Sequence, residues 1–564
     1  MELRRVTVAL WFAGLAGAGV AIAAEGGSEK PAAPPQAIFR GAFKAVKMDI
    51  SPPLRDMAPG ILPLTAEDRE ADADAPFPTA GAFGPRDVDT AVQSTVGRAA
   101  EVPGPNVSFD AFTTLCGCSP PDSDGDVGPN HYIVMVNLHF AIYSKAGALL
   151  FGPVANNTLW SGFGGPCQTS NAGDPVVLHD QMANRWILTQ FTNSNPQLNC
   201  LAVSTTADPL GTYFRYALPV PSGVLPDYPK WGIWPDAYYL STREVGAGII
   251  GAYAIDRAAV VAGNPAATII SFAAPVGGQP NGGDGLLPTD MDGSALPPAG
   301  SPNYYAGTMD QGGPYGAPQD AITWWKFHAD FVTPANSSFT MTNTIPVNTF
   351  NSVMPAPCSS TRQCIPQPTT ANKIDHLGYR QRPTWRLAYR NFGAFESLVT
   401  NQSVDAGTGM AGVRWYEIRS PNTTPTIFQQ GTYAPGLTDG IHRWMGSIAQ
   451  DRAGNMALGY SASDGTAVFP SVRYTGRLSG DPLGQMPQGE GSIVAGTGAQ
   501  TGSARWGDYT SMNVDPNDDC TFWYVNQYIP VTSGATWRIR VGQFAFPAPQ
   551  CIPVPVALQS FGVE

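Results

Sequence analysis

The chain has 564 residues, a formal net charge of -12 at pH 7 and a pI near 5.0. This balance, with no run of lysine or arginine, argues against a nucleic acid partner, because phosphate binding needs a basic surface. Only 13% of the residues are charged, and 62 glycines, 53 prolines and 10% aromatic residues are typical of an ordered, turn-rich chain of short strands.

The first segment has the pattern of a secretory signal peptide. Arg4 and Arg5 precede an apolar run from Val6 to Ile22, and small residues at 21–23 supply a cleavage site. A membrane anchor needs about 20 apolar residues, and this run is shorter. Residues 1–23 are therefore expected to be removed on export, and no later stretch is apolar enough to span a bilayer. We expect a monomer that is secreted, periplasmic or on the surface of a bacterium.

The next segment, residues 24–105, is rich in Pro, Ala and Asp and has little periodicity, which predicts a linker or pro-segment. A short exception from Phe39 to Pro53 is expected to pack against the body as a strand. Residues 106–550 form the predicted body, and 551–564 form a C-terminal tail.

A strand, turn and strand unit recurs along the body. Its clearest copy spans 505–528, with a strand to Val514, a turn at 515–518 and an aromatic strand after it. Repetition of such a unit in a β-rich chain predicts an all-β fold, a β-propeller of seven blades, with six as the alternative. No helix longer than about three turns is expected, because no 3.6-residue periodicity persists. The units open near Asp126, Asp174, Tyr228, Leu286, Leu377, Arg443 and Arg505.

Eight cysteines in an exported chain are expected to form structural disulfides. The spacing predicts the pairs Cys358 with Cys364, Cys167 with Cys200, and Cys520 with Cys551. Cys116 and Cys118 are two residues apart and would pair with each other only under strain, so their partners stay open.

Five blocks of the body resemble a family of exported bacterial propeller proteins that is mostly uncharacterised and loosely grouped with sialidase-like folds. The blocks are GDVGPNHYIVMVN (125–137), GDPVVLHDQMANRWILTQF (173–191), DYPKWGIWPDAYYLST (227–242), HRWMGSIAQDRAGNMALGYS (442–461) and RWGDYTSMNVDP (505–516). The resemblance covers about 107–549 and implies a propeller fold and an exported location, without a catalytic assignment. The S-x-D-x-G-x-x-W Asp-box is missing, which weakens a sialidase interpretation.

Polar residues open the predicted units. The innermost strand of each propeller blade runs along the central axis, so these residues should converge at one mouth of the channel. Carboxylates, tyrosines and arginines in such a funnel can bind an acidic sugar and supply acid and base groups for glycoside cleavage. Alternatively, they pair between blades and fix the ring. The candidates are Asp174, Asp227, Tyr228, Arg382, His442, Arg443, Arg505, Asp508, Tyr509 and His131.

The sharpest local motif is the DSDGD sequence at 122–126. Its alternating carboxylates, Asp122, Asp124 and Asp126, predict a calcium-binding loop, with a solvated acidic turn as the alternative. A full EF-hand is excluded because the twelfth position is Ile133 rather than Glu. The shorter sequence DMDG at 290–293 predicts such a loop more weakly.

Two functions fit these observations. The first is an exported propeller that binds extracellular polysaccharide or a surface glycoconjugate or protein, stabilised by disulfides and calcium. The second is a secreted glycoside hydrolase, sialidase-like, that acts through a funnel of arginine, carboxylate and tyrosine. Binding is favoured slightly because no complete catalytic constellation is visible, and propellers host both functions.

Overall fold

Short strands, most of them paired antiparallel and joined by turns and loops, are the main secondary structure of the chain that the computed structural model describes, which is residues 37–57, 87–97, 102–276, 283–358, 361–534, 536–547 and 551. The predicted signal peptide, most of the predicted linker and the tail after 551 lie outside the described residues. In chain order the strands are β1 (Ile38–Lys44), β2 (Lys47–Ile50), β3 (Val92–Gln93), β4 (Val107–Thr113), β5 (Asp124–Val127), β6 (His131–Val136), β7 (His139–Ser144), β8 (Leu149–Ala155), β9 (Val177–Asp180), β10 (Arg185–Phe191), β11 (Leu198–Ser204), β12 (Tyr213–Pro219), β13 (Pro226–Ile233), β14 (Ala237–Glu244), β15 (Ile249–Asp256), β16 (Thr268–Pro275), β17 (Leu287–Met291), β18 (Asn303–Met309), β19 (Ala321–His328), β20 (Ser338–Pro346), β21 (Thr384–Asn391), β22 (Glu396–Asp405), β23 (Ala411–Arg419), β24 (Thr426–Tyr433), β25 (His442–Gln450), β26 (Met456–Ser463), β27 (Phe469–Arg477), β28 (Glu490–Gly496), β29 (Ser511–Val514), β30 (Phe522–Tyr528) and β31 (Arg538–Phe544).

Helices are few and short. The α-helices are α1 (Pro166–Thr169), α2 (Arg257–Val261) and α3 (Gly436–Asp439), and single 3-10 turns span Leu54–Asp56, Asn156–Trp160, Pro334–Asn336 and Gly378–Arg380. Over the described ranges, no helix is long and apolar enough to cross a membrane.

Over the described residues, the strands form six sheets that contain seven antiparallel sets of four, which we call blades 1 to 7; blades 4 and 5 belong to one nine-stranded sheet because β17 pairs in parallel with β21. Blade 1 is β5–β8, blade 2 is β9–β12, blade 3 is β13–β16, blade 4 is β17–β20, blade 5 is β21–β24, blade 6 is β25–β28, and blade 7 is β29–β31 with β4. Each blade begins within a few residues of a predicted opening. The first strands of blades 1 and 2 contact each other, as do those of blades 3 to 7 in succession, and β29 returns to contact β5. The predicted all-β propeller fold is confirmed.

The ring is closed by a strand from far upstream in the chain. Strand β4 pairs antiparallel with β31 and supplies the outer strand of blade 7. Arg540 reinforces this pairing, because its Nε donates to Ser108 Oγ (2.9 Å) and its Nη1 lies 3.1 Å from Asp110. The first and last blades of the chain are therefore held together by main-chain hydrogen bonds.

Three further strands extend the blades at their outer edges. Strand β1 pairs with β16 of blade 3 and β2 pairs with β12 of blade 2, as expected for the strand predicted between Phe39 and Pro53. Strand β3 pairs in parallel with β24 of blade 5. Part of the segment that composition marks as a linker therefore packs on the propeller.

Aromatic side chains fill the space between blades. Trp231, Trp234, Trp324 and Trp325 are fully buried, so they pack in the core rather than offering a face to a sugar. Trp234 meets Tyr389 edge to face with ring centroids 4.8 Å apart, which joins blade 3 to blade 5.

Four disulfides are present. Three are the pairs that the spacing predicts, Cys167–Cys200, Cys358–Cys364 and Cys520–Cys551. The fourth joins Cys116 to Cys118, whose partners the spacing leaves open. The described residues contain no free cysteine.

Removing the Cys167–Cys200 bond should lower the stability of blade 2. The bond closes a loop between two cysteines that are 33 residues apart in the chain. Because a disulfide limits the conformations of the unfolded chain, the Cys167→Ala/Cys200→Ala variant should lose about 3 to 4 kcal/mol of unfolding free energy. Denaturant unfolding measures the difference. The control is Cys116→Ala/Cys118→Ala, which opens a separation of two residues and should lose much less. Equal losses in the two variants would contradict the prediction.

Candidate functional site

Several predicted funnel residues do meet at the end of the ring where the first strands begin. Arg382 Nη2 lies 2.5 Å from Asp508 Oδ2, which joins the residues before β21 and β29. Tyr509 Oη lies 3.1 Å from Asp174 Oδ2 and 3.1 Å from the carbonyl oxygen of Pro229. Blades 2, 3, 5 and 7 thus contribute to one cluster on the axis.

A column of alternating cations and aromatic rings lies at the centre of this cluster. Arg382 Cζ is 3.3 Å and Lys230 Nζ is 3.1 Å from the ring centroid of Tyr228, so the two cations occupy opposite ring faces. Lys230 Nζ is also 3.3 Å from the centroid of Tyr509. We call Arg382, Tyr228, Lys230 and Tyr509 the axial column, and all four side chains are buried.

Lys230 stands among the polar residues that open the third predicted unit, and it is the one residue of the column that is absent from the funnel candidates. Its Nζ lies 3.4 Å from the carbonyl oxygen of Pro229. No carboxylate of the described residues lies within ion-pairing distance of this nitrogen. Burial, followed by the charge of Arg382, holds the pKa of Lys230 well below its usual value. Its position two residues after Tyr228 in β13 was the only sequence signal available.

The carboxylates around the column have pKa values that differ in direction. Burial, together with the charge of Asp508, raises the pKa of Asp122 to about 7. Burial and the charge of Asp122 raise the pKa of Asp174 well above its usual value. Burial would also raise the pKa of Asp508, but the guanidinium groups of Arg382 and Arg505 hold it below its usual value. Asp508 is therefore the carboxylate that carries the negative charge paired with Arg382.

The space beside the column is small. A narrow pocket bordered by Tyr228, Arg382, Asp508 and Met445 leaves room for little more than a water molecule. Tyr228 and Met445 have φ of 52° and 47°, in the left-handed region that costs energy for residues other than glycine. The column and these strained residues therefore leave little open space at the part of the mouth that the structure describes.

The remaining funnel candidates divide into two groups. Asp227 raises the pKa of Tyr509 and Arg505 lowers that of Asp508, so both lie close to the cluster. Arg443, by contrast, binds Asp439 and Glu490 of its own blade, with Nε 2.6 Å from Glu490 Oε2. His442 Nδ1 accepts from the backbone N–H of Ala411 at 3.2 Å, and His131 lies half-buried on β6. The structure does not bring these last three residues into the funnel.

The DSDGD motif joins blade 1 to its neighbours. Asp124 accepts the backbone N–H of Val177 at 2.8 Å, and Asp126 accepts that of His179 at 2.7 Å. Asp122 accepts the backbone N–H of Asp508 at 2.6 Å, across the closure of the ring. Each of the three carboxylates of the motif therefore accepts a backbone N–H from another blade.

Calcium binding by Asp122, Asp124 and Asp126 stays a prediction. Within the described ranges, no group of three or more Asp, Glu, His or Cys side chains could hold a metal ion. At the weaker motif, Asp290 and Asp292 lie 2.9 Å and 2.6 Å from the buried guanidinium of Arg386 on β21. Both acidic motifs therefore carry contacts between blades.

A larger concavity lies at the opposite end of the ring, between blades 5 and 6. We call it the lateral groove. It has a volume of about 420 Å³, and turns that follow first and third strands form its walls. Its lining residues are Phe392, Phe395, Glu417, Arg419, Phe428, Gln429, Gln450, Ala453, Gly454, Arg477, Ser479 and Leu483.

The polar floor of the lateral groove is a connected network. Gln429 Nε2 donates to Glu417 Oε2 at 2.6 Å. Ser397 Oγ lies 3.1 Å from Glu417 Oε1 and 2.7 Å from Gln450 Oε1. Phe395 and Phe428, which are 37% and 39% exposed, form an apolar wall beside it. No sequence pattern predicts this groove, because its lining residues are far apart in the chain and share no motif.

The axial column should contribute stability through the ring of Tyr228. Tyr228→Leu removes the face between two buried cations and should lower the unfolding free energy by at least about 2 kcal/mol. Tyr228→Phe is the control, because it keeps the ring and should lose much less. Denaturant unfolding of both variants tests this, and equal losses would contradict a role for the ring face.

The buried carboxylate of Asp124 should make stability depend on pH. Burial raises its pKa to about 7, so the stability it contributes is present below its unfolded pKa of about 4 and is lost as pH rises through 7. Asp124→Asn cannot titrate, so its melting temperature should fall less than that of the wild type between about pH 5 and about pH 8.

The matched control for this prediction is Asp330→Asn. Asp330 is exposed, and the backbone N–H of Thr333 holds its pKa below the usual value, outside the window of the experiment. Its melting profile should follow that of the wild type. If Asp124→Asn also follows the wild type, Asp124 does not titrate as described.

Comparison with known proteins adds little beyond the architecture. No family profile and no curated sequence matches the chain. Among solved structures, an endo-arabinase from Bacteroides thetaiotaomicron is 13% identical over 53% of this chain and 92% of its own, with a TM-score of 0.27. A DUF4623 family protein from Bacteroides eggerthii is 9% identical over 64% of this chain and 75% of its own (TM-score 0.31). A thermostable family-43 glycoside hydrolase is 11% identical over 80% and 98%, with a TM-score of 0.25. At these scores, the matches assign neither a family nor an activity to this chain.

Proposed function

We propose that this chain is an exported, non-catalytic propeller that binds extracellular carbohydrate in the lateral groove. The observation that carries the proposal is the groove itself, which has a volume of about 420 Å³. It combines an apolar wall with a few fixed polar groups, which is the usual composition of a small-molecule site. The exposed edges of the phenylalanine rings can contact the C–H groups of a sugar, while the floor meets its hydroxyl groups.

The floor is suited to hydroxyl recognition because its groups are already fixed. Glu417 is held by Gln429 and Arg419, and Gln450 is held by Ser397. Binding a sugar would then immobilise few protein side chains, which reduces the entropic cost of association.

The state of the mouth supports binding over hydrolysis. A glycosidase needs two carboxyl groups beside an open pocket, separated by roughly 5 to 10 Å. At the mouth, Asp508 is paired with Arg382, Asp122 accepts a backbone N–H, and the pocket is narrow. These carboxylates make contacts between blades of the propeller.

Export is part of the proposal. All eight cysteines are paired in four disulfides, which form and persist in oxidising compartments. The signal peptide predicted at residues 1–23 points the same way.

One observation favours the alternative of a secreted glycoside hydrolase. Asp122 has a pKa of about 7 and that of Asp174 is also raised, as a general acid requires. For that function the side chains of the axial column would have to move away from the mouth, because they leave little open space beside the carboxylates.

A saccharide-binding assay tests the proposal. The full chain is incubated with neutral and acidic polysaccharides, and binding is measured by affinity electrophoresis and calorimetry. Phe395→Ala and Phe428→Ala should weaken binding at least about tenfold, since each removes part of the apolar wall. Phe39→Ala is the matched control, because Phe39 is 40% exposed on β1, outside the groove.

Two outcomes would overturn the proposal. If no saccharide binds, or if the Phe395, Phe428 and Phe39 variants bind like the wild type, the lateral groove is not the site. Release of reducing ends from a bound polysaccharide, lost in Asp122→Asn, would establish the hydrolase instead.

A further inference from the structure

We infer that the lateral groove selects an acidic saccharide and that Arg419 binds its carboxylate. The inference rests on the proposed carbohydrate binding and adds the chemical class of the ligand. It is carried by the placement of two arginines in the groove and by the donors that they leave unused.

Arg419 is fixed before any ligand arrives. Its Cζ lies 3.9 Å from the ring centroid of Phe395 and 3.3 Å from that of Phe428. Its Nε donates to Glu417 Oε1 at 2.7 Å. Two ring faces and one carboxylate therefore set the position of a side chain that would otherwise be long and mobile at the surface.

The fixed guanidinium keeps its two terminal nitrogens available. Over the described part of the chain, Nε is the only Arg419 donor with a protein hydrogen bond. The side chain is 25% exposed, so the terminal groups can reach a ligand in the groove. A planar fork with two free N–H groups matches a carboxylate in bidentate geometry, which a lysine ammonium cannot do.

Arg477 adds a second positive charge at the base of the groove. The side chain is 1% exposed, and its Nη2 donates to the carbonyl oxygen of Asp481 at 2.7 Å. Its Nε has no hydrogen-bond partner, and no carboxylate of the described residues pairs with it. Burial, the largest influence, lowers the pKa of Arg477 from its usual value, although the carboxylates of Glu417 and Asp481 raise it. An anionic ligand would add a negative charge close to this buried cation.

The charge of the lining points the same way. Two arginines and one glutamate line the groove, so it is positive within a chain whose formal net charge is -12. A neutral sugar would add no negative charge to balance the two arginines. A uronic acid would place one carboxylate against Arg419 and its ring hydroxyls against the floor.

The experiment compares acidic oligosaccharides with neutral partners of the same shape. The probes are oligogalacturonate, oligoalginate and oligohyaluronate, each with its carboxyl methyl ester, and a sulfated carrageenan oligosaccharide. At least one free acid should bind the wild type about tenfold or more tightly than its ester in calorimetry. Raising the salt concentration should weaken only the binding of the acid.

Three variants assign the effect to Arg419. Arg419→Leu should remove the difference between acid and ester, and Arg419→Lys should keep only part of it, because a point charge replaces the fork. Arg538→Leu removes an equal charge outside the groove and should bind like the wild type. Thermal unfolding establishes that the variants are folded, and the salt dependence tests the inference on the wild type alone.

Each remaining outcome overturns a different statement. If acids and esters bind equally, the groove binds sugars without selecting an acid, and the proposed function survives. If the carrageenan oligosaccharide binds best through Arg419, the ligand is a sulfate ester rather than a carboxylate. If no saccharide binds at all, the proposed function is wrong as well.

Discussion

The stack of Arg382, Tyr228, Lys230 and Tyr509 is the contact on which the ring depends. A closed ring of sheets leaves its axis to be filled, and this chain fills it with two buried cations separated by a tyrosine ring. An unpaired buried ammonium is costly, but ring faces offset part of that cost, at about 2 kcal/mol or more each when desolvated. Because the four residues come from blades 3, 5 and 7, the stack can form only when the ring has closed.

The acidic residues at the starts of the first strands belong to the same system. Asp124 and Asp126 take backbone N–H groups of β9, while Asp290 and Asp292 take the guanidinium of Arg386 on β21. Each bond crosses from one blade to another, so the carboxylates set the spacing of neighbouring first strands. This explains why residue types that suggest catalysis or calcium binding recur at each opening: a buried backbone donor or arginine between two blades needs an acceptor.

What the sequence could predict follows from the range of the interactions. Hairpins are local, so strand, turn and strand units such as 505–528 locate the blades, and the positions of the cysteines relative to these units locate three disulfides. The convergence of Asp174, Tyr228 and Asp508 follows from propeller geometry once the repeats are seen. The closure by β4, the contact of Lys230 with Tyr509 and the whole lateral groove join residues that are distant in the chain, and no local pattern encodes them.

The two ends of the ring differ in how they use their arginines. At the mouth, Arg386 is paired with Asp290 and Asp292, and Arg382 is paired with Asp508 and contacts the ring of Tyr228, so a ligand that bound these arginines would compete with contacts between blades. In the lateral groove, Arg419 is held by Phe395, Phe428 and Glu417, yet its terminal nitrogens are still free to bind. A ligand in the groove gains a fixed donor pair without disturbing the ring. Binding is therefore compatible with stability at the groove, whereas at the mouth the two compete.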